Sequence, residues 1–172
     1  EVRATFTGVR QPVLEVVMSR SSPGRYALYE FAKNVYRLRA TDGQGRALEV
    51  TQPTPYQWNV TGHKGTVVVE YTVFGDRSDG TYAAIDPTHA HLNLPATLVW
   101  AHGFEKSPVS LKFELPAGSD WKVATQLAPQ DGGLWTAPNM DRMMDSPVEL
   151  SHHYLGEWKV GDSQFRMALH HR

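Results

Sequence analysis

The chain has 172 residues and a mass of 19.3 kDa, and 41% of its residues are hydrophobic, so it can bury a substantial core without a metal or a disulfide. Its 17 Lys and Arg and 18 Asp and Glu give a formal net charge of −1 without a basic stripe, which argues against nucleic acid as a partner. It contains no cysteine, which excludes thiol nucleophiles, disulfides and cysteine-bound metals.

The two ends of the sequence predict a longer natural polypeptide. The chain begins at Glu1 rather than Met, and its first residues contain neither the basic nor the apolar region of a signal peptide. It stops at LHHR, residues 169–172, without a Gly, Pro or polar tail. No window approaches the ~20 consecutive apolar residues that span a bilayer, so we expect this part to be soluble and to have no membrane partner.

Alternation of apolar and polar residues predicts β-strands along most of the chain, because successive side chains of a strand point to opposite faces. Residues 66–74 are more continuously apolar, as is typical of a central strand covered on both faces. Segments rich in Gly, Pro and Asp separate these runs. The alternating apolar positions are Val2, Ala4 and Phe6; Leu14, Val16 and Met18; Tyr36, Leu38 and Ala40; Val109, Leu111, Phe113 and Leu115; and Phe165, Met167 and Leu169.

One short helix is predicted near the N-terminus, over residues 26–34, because Ser22 and Pro23 offer an N-cap and a first-turn proline ahead of it. No linker, repeat or low-complexity tract divides the chain. Many short strands separated by turns indicate an all-β fold. We predict a single domain over residues 1–172, an antiparallel β-sandwich of about ten or more strands with this one short helix.

His89 and His91 are the sharpest candidates for chemistry. Two histidines at positions i and i+2 of a strand point to the same face and can share a zinc ion, and Asp86 and Asn93 lie nearby in the sequence. The commoner role of such a pair is hydrogen bonding within a loop packed by neighbouring prolines. A catalytic zinc needs three protein ligands, so we predict neither a metal site nor a bound cofactor in this chain.

Other catalytic signatures are missing from the sequence. There is no Gly-x-Ser-x-Gly elbow, and the glycines of residues 75–80 indicate a turn rather than a phosphate-binding loop. We therefore predict no catalytic residue in these 172 residues.

The five tryptophans suggest an alternative function, because β-sandwiches that bind sugars present aromatic rings as flat platforms. Core packing is the commoner role of tryptophan, and we expect most of the five to be buried or half-buried. Trp58 and Trp135 have the best chance of exposure. The alternative is therefore a free-standing module that binds a ligand or a carbohydrate.

Three segments carry a resemblance to one peptidase family. They are DGTYAAIDPTHAHLNLPATLVWAHG at 79–103, ATQL at 124–127 and MDSPVELS at 144–151. In this order and spacing they resemble the leading domain of the glycyl aminopeptidases, thermolysin-related zinc enzymes. In that family an N-terminal β-sandwich precedes a His-Glu-x-x-His catalytic domain and usually a PDZ domain. The similarity also covers residues 21–40 and 55–60 and the wider stretches 121–127 and 136–151, and so extends over most of the chain.

The resemblance implies that this chain is non-catalytic, because no His-Glu-x-x-His motif occurs in it. Zinc would belong to the catalytic domain of the parent enzyme, which would be this domain's partner and would cleave the peptide substrate. The resemblance implies a leading domain that packs on the catalytic domain and shapes its cleft. The habit of the family and the missing start together predict a periplasmic or secreted protein.

Residues 144–151 resemble the family's stretch near the junction with the catalytic domain, where a carboxylate would border the cleft that accepts a free amino group. Proline disfavours helix for the residue before it, so this segment is predicted to be a loop or the start of a strand. Capping of a turn and a solvated charge are equally compatible roles for its two acids. The candidate residues of a cleft or domain interface are Asp145, Ser146, Glu149, Asp86, His89, His91 and Asn93.

A third interpretation, an enzyme complete in itself with zinc on His89 and His91, has the least support, because the sequence declares no third ligand for the metal.

Overall fold

In the computed structural model, residues 1–77 and 79–170 are described, and they form sixteen β-strands, one α-helix and three short 3₁₀-helical turns. The first nine strands are β1 (Val2–Thr7), β2 (Val13–Met18), β3 (Val35–Asp42), β4 (Glu49–Thr54), β5 (Gln57–Thr61), β6 (Thr66–Val73), β7 (Ala84–Ile85), β8 (His89–Leu92) and β9 (Val99–Ala101). The remaining seven are β10 (Val109–Lys112), β11 (Lys122–Thr125), β12 (Ala128–Gln130), β13 (Leu134–Ala137), β14 (Val148–Ser151), β15 (Tyr154–Val160) and β16 (Ser163–Leu169). The helix, α1, is Met140–Met144, and the 3₁₀ turns are Phe31–Asn34, Leu94–Ala96 and Asp131–Gly133.

The predicted fold class is confirmed. Strand pairings among the described residues are antiparallel, and the sheets pack in layers as an all-β sandwich with a single short α-helix. None of the helices in this part of the chain has the length and apolar character that crossing a bilayer requires.

The first core lies between the sheet β1-β6-β3 and the sheet β4-β5-β2-β9. The predicted central strand, β6, is the middle strand of its sheet, and its residues Val67 and Val69 are fully buried. Alternation is confirmed in β1 and β2, whose inward side chains join this core. Each fully buried valine or leucine stabilises the fold by about 1.5–3 kcal/mol. The buried residues of the first core include Leu14, Val16, Met18, Phe31, Ala40, Trp58, Val60, Tyr71, Val99 and Ala101.

The second core underlies the sheet β11-β14-β8-β7 and receives side chains from the sheet β10-β13-β12 and from α1. Met143 of α1 is fully buried in it, and the predicted alternation of residues 109–115 places their apolar side chains against it. The buried residues are Ala83, Ala90, Leu92, Leu94, Leu127, Ala137, Met143, Val148 and Leu150.

The helix predicted over residues 26–34 is present only as the 3₁₀ turn Phe31–Asn34, whereas the α-helix lies much later in the chain. The reason is that Pro23 and Gly24 form a turn instead of starting a helix. The Arg25 amide donates to the Ser22 carbonyl at 3.0 Å and Gly24 has φ +74°, which is the geometry of a type II turn. The Ser22 hydroxyl accepts a hydrogen bond from Asn93 at 2.8 Å and caps no helix.

Tyr36 does not share a face with Leu38 and Ala40, as the alternation predicts, but is exposed. A register shift in the pairing of β3 with β6 lies between Tyr36 and Arg39, and within it Arg37 has φ +56°. Such a bulge inserts an extra residue, so the side chains on either side of it change face. Val35 packs on the first core in place of Tyr36.

Candidate functional site

The predicted histidines lie on the sheet β11-β14-β8-β7, in which β14 is flanked by β11 and β8. In the register of β14 and β8, Glu149 is opposite His91 and Ser151 is opposite His89. The alternate residues of these two strands, Ala90, Leu92, Val148 and Leu150, are buried in the second core. One face of the sheet is therefore apolar, and the other, which we call the polar face, carries His89, His91, Glu149 and Ser151.

Glu149 lies at the centre of this polar face. Its Oε2 is 3.5 Å from Nδ1 of His91, and its Oε1 is 4.0 Å from Nδ1 of His170. The Oε1 atom is buried, and no described residue donates a hydrogen bond to it. A buried acceptor without a donor carries a desolvation cost of about 1–3 kcal/mol, so this oxygen is suited to a cationic donor.

His89 is held at the edge of the cluster by two neighbours. Its ring stacks on that of His170, with centroids 4.8 Å apart and planes at 26°, and its Nδ1 is 3.2 Å from Oδ1 of Asp86. That Asp86 oxygen also accepts hydrogen bonds from the Thr88 hydroxyl at 2.6 Å and from the amides of Thr88 and His89 at 2.7 and 3.1 Å. These bonds, led by the Thr88 hydroxyl, hold the pKa of Asp86 well below its usual range. Asp86 is therefore a fixed carboxylate that orients His89.

Ser151 and His153 belong to the same region, although neither is among the residues predicted from the sequence. His153 is only 2% exposed, and its Nδ1 is 3.2 Å from the Ser151 hydroxyl. Burial lowers the pKa of His153 below its usual value, and the charge of Lys122 lowers it further. Continued alternation from Glu149 through 151 to 153 is the sequence signal that indicates both residues.

Three predicted residues lie outside the cluster. The side-chain amide of Asn93 donates to the Ser22 hydroxyl and to the Thr81 carbonyl, so it joins loops instead of facing a ligand. Ser146 is fully buried and its hydroxyl donates to the Arg142 carbonyl at 2.7 Å. Asp145 is exposed at the C-cap of α1, and its carbonyl accepts from Gln126. The segment at 144–151 thus ends a helix before Pro147 and then begins β14, as the proline rule predicts.

The histidine pair lies in strand β8, so its assignment to a loop is wrong and its placement on one face of a strand is right. Within residues 1–77 and 79–170, no three His, Asp or Glu side chains converge in a way that would hold a metal ion. His91 and His170 approach opposite oxygens of Glu149. The described residues therefore do not fit a zinc site.

The tryptophans give little support to a sugar platform. Trp58 is buried in the first core, against the expectation of exposure, and Trp135 is half-buried against the second. As expected, most of the five are buried or half-buried; Trp158 of β15, 47% exposed, is the one with the greatest exposure.

Comparisons with known proteins agree with this architecture. Residues 1–152 match the family described as the peptidase M61 N-terminal domain. The structure is similar to a crystal structure of an aminopeptidase N family protein from Idiomarina loihiensis, with a TM-score of 0.93 and 23% sequence identity. That similarity covers 99% of this chain and 30% of the other, so the chain spans about a third of the length of the solved relative. No protein of curated function matches significantly.

Proposed function

The chain belongs to the peptidase M61 N-terminal domain family, and from this premise we propose that it is the non-catalytic leading domain of a zinc-dependent aminopeptidase. The match over residues 1–152 to a domain described as N-terminal in a peptidase is the observation that carries the proposal. The described residues do not fit a zinc site, so the zinc of this proposal belongs to a catalytic domain elsewhere in the polypeptide. This chain would contribute packing and recognition.

We infer that the polar face of the sheet β11-β14-β8-β7 borders the substrate cleft. The opposite face of the same sheet is covered by the second core, so the polar face is the side from which Glu149 can meet a ligand. A rigid β-sandwich beside a catalytic domain can close one end of its substrate groove. Such a wall would restrict cleavage to the ends of peptides, with the glycyl preference of the family as the finer expectation.

Glu149 is the residue that we propose for recognition of the free amino group. The α-amino group of a peptide has a pKa of about 8, so it is a cation with three donors at neutral pH, whereas an interior peptide N–H is neutral. A carboxylate distinguishes the two by a charge-assisted hydrogen bond. The buried Oε1 of Glu149 receives no hydrogen bond from the described residues, which leaves an acceptor for this ammonium.

His170 would control access to that oxygen. Its Nδ1 is 4.0 Å from Oε1, and its ring is held by stacking on His89. An incoming ammonium would have to take the place of the His170 ring. The free-energy cost of displacing the ring is small, because a stacked pair of rings contributes only about 0.5–1.5 kcal/mol beyond its burial.

The test is replacement of Glu149 by Gln in the natural full-length enzyme. Because Gln keeps the shape but loses the charge, we expect kcat/KM for peptides with a free amino terminus to fall roughly 10- to 100-fold, the loss of a charged hydrogen bond. The matched control is Asp145→Asn, an exposed carboxylate four residues away, which we expect to change kcat/KM less than about twofold. Unchanged kcat/KM in Glu149→Gln would refute the role of Glu149.

A further inference from the structure

The last two strands form a hairpin that stands apart from both cores. β15 and β16 are paired with each other in a two-stranded sheet, in register from Tyr154 opposite Leu169 to Val160 opposite Ser163. All of their residues are exposed except Gly156, which is half-buried. The hairpin follows the part of the chain that matches the family domain, which ends at residue 152.

The register gives the hairpin two unlike faces. One face, which we call the apolar face, carries large side chains that are between 43% and 68% exposed: Tyr154, Trp158, Val160, Phe165, Met167 and Leu169. Trp158 and Phe165 stack directly across the strands, with centroids 5.7 Å apart and planes at 11°. The other face is mainly polar: it carries Glu157, Lys159, Gln164 and Arg166, with Leu155 and Ala168 at one end.

An amphipathic hairpin of this kind needs a cover. A two-stranded sheet alone is marginally stable in water, and three or more strands or packing against another element are needed for stability. Contiguous exposed apolar patches on a protein mark interaction sites. A slip of one residue in the pairing would move these side chains to the opposite face. The register that gathers six large apolar side chains on one face therefore indicates that this face is to be buried.

We propose that the apolar face is the docking surface for the domain that follows in the same polypeptide. This inference rests on the proposed function. The similarity to the Idiomarina loihiensis protein includes the hairpin, because it covers 99% of this chain, yet it covers only 30% of that longer chain. The uncovered part of a chain of that length is large enough to cover the hairpin.

The position of the hairpin favours a following domain over a second copy of this chain. At its base, His170 follows β16 directly and contacts Glu149 and His89 on the polar face. The hairpin is therefore joined at this end to the polar face, and a domain docked on the apolar face would connect to that region through His170. A second copy seated there would crowd the same face from which the substrate is to be recognised.

The test uses the natural polypeptide purified from its host. Its intact mass is measured first. The rate at which mild peroxide oxidises each methionine is then measured by mass spectrometry. Met167 is 43% exposed in this chain, whereas Met18 and Met143 are fully buried and serve as internal references. If the following domain covers the apolar face, we expect Met167 in the natural polypeptide to oxidise at least tenfold more slowly than a free methionine.

Two variants in the natural polypeptide sharpen the test. Trp158→Thr removes the largest side chain of the apolar face and keeps a residue that favours strands, so we expect Met167 to oxidise at least fivefold faster. Lys159→Thr is the matched control, because it alters the adjacent residue on the polar side of the hairpin. It should leave the oxidation of Met167 unchanged.

The outcomes separate the two proposals. A natural mass near 19.3 kDa would overturn both the proposed function and the docking inference. A longer polypeptide in which Met167 reacts as fast as a free methionine would overturn the docking inference alone. Protection of Met167 that disappears on dilution, together with a dimeric mass in sedimentation, would assign the face to a second copy and also overturn it.

Discussion

The Tyr71 hydroxyl accepts a hydrogen bond from the Val99 amide at 2.9 Å, and so joins the two sheets of the first core. The same hydroxyl donates to the Thr97 carbonyl at 3.0 Å. Tyr71 is only 3% exposed, and burial raises the pKa of its phenol far above the usual value, so the group remains a neutral donor throughout the working pH range.

Replacing Tyr71 with Phe should lower the free energy of unfolding by about 1–3 kcal/mol, because it leaves the Val99 amide and the Thr97 carbonyl without a partner inside the protein. Chemical denaturation measures the change. Tyr36→Phe is the control, since Tyr36 is exposed on the same sheet, and its effect should stay within about 0.5 kcal/mol. Equal stability of the two variants would show that the Tyr71 bridge contributes nothing.

Arg37 is the non-glycine residue with positive φ among those described, at +56° in the bulge of β3. A left-handed conformation costs an L-residue about 1–2 kcal/mol, and glycine removes this cost while losing about 0.5–1 kcal/mol of chain entropy. Arg37→Gly should therefore stabilise the protein by up to about 1.5 kcal/mol. Arg37→Val, with a β-branched side chain, should destabilise it, and a stability that does not differ between the two variants in denaturation would contradict the bulge geometry.

His153 predicts a dependence of stability on pH. Its pKa in the folded protein lies below the ordinary value of 6.5, because it is buried and faces Lys122. As the pH falls below about 6.5, the unfolded chain binds a proton at this position before the folded one does, so stability decreases as the solution becomes mildly acidic. The free energies of unfolding of the parent and of His153→Gln, measured at several pH values, should therefore diverge in slope below about pH 6.5, with the shallower slope in the variant. Parallel curves would exclude His153 as the source.

Asn93 offers a test that separates structure from recognition. Its side chain donates to Ser22 and to the Thr81 carbonyl inside the protein, so Asn93→Ala should cost about 1–3 kcal/mol of stability. Because it lies outside the polar cluster around Glu149, the change should leave the proposed preference of the full-length polypeptide for free amino termini unaltered. A variant of normal stability with altered preference would place Asn93 in the cleft after all.

The strands were predictable because a period of two is visible in local sequence, and β1, β2 and β10 follow it closely. Departures occur where a single residue changes the local geometry. Gly24 converts an apparent helix start into a turn, and the left-handed Arg37 moves Tyr36 to the other face. Neither effect changes the apolar pattern on which the predictions depend.

The candidate site was predictable in part. Spacing places His89 and His91 on one face of a strand, but the pairing of β8 with β14, which brings Glu149 opposite His91, joins residues far apart in the sequence. His170 reaches the same carboxylate from the position that follows β16 at the base of the hairpin. Alternation shows that Phe165, Met167 and Leu169 share a face, whereas only the packing shows that this face is uncovered.

The alternation of polar and apolar side chains in β14 also limits where the chain can accept an inserted residue. An insertion of one residue before Val148 falls in a connection, where the chain can absorb it. The same insertion between Val148 and Glu149 would turn Leu150 toward the histidines and place the Glu149 carboxylate on the face that packs on the second core. The register that places Glu149 opposite His91 and the packing of the second core would then be lost in one step, so length variation should be excluded within this four-residue strand.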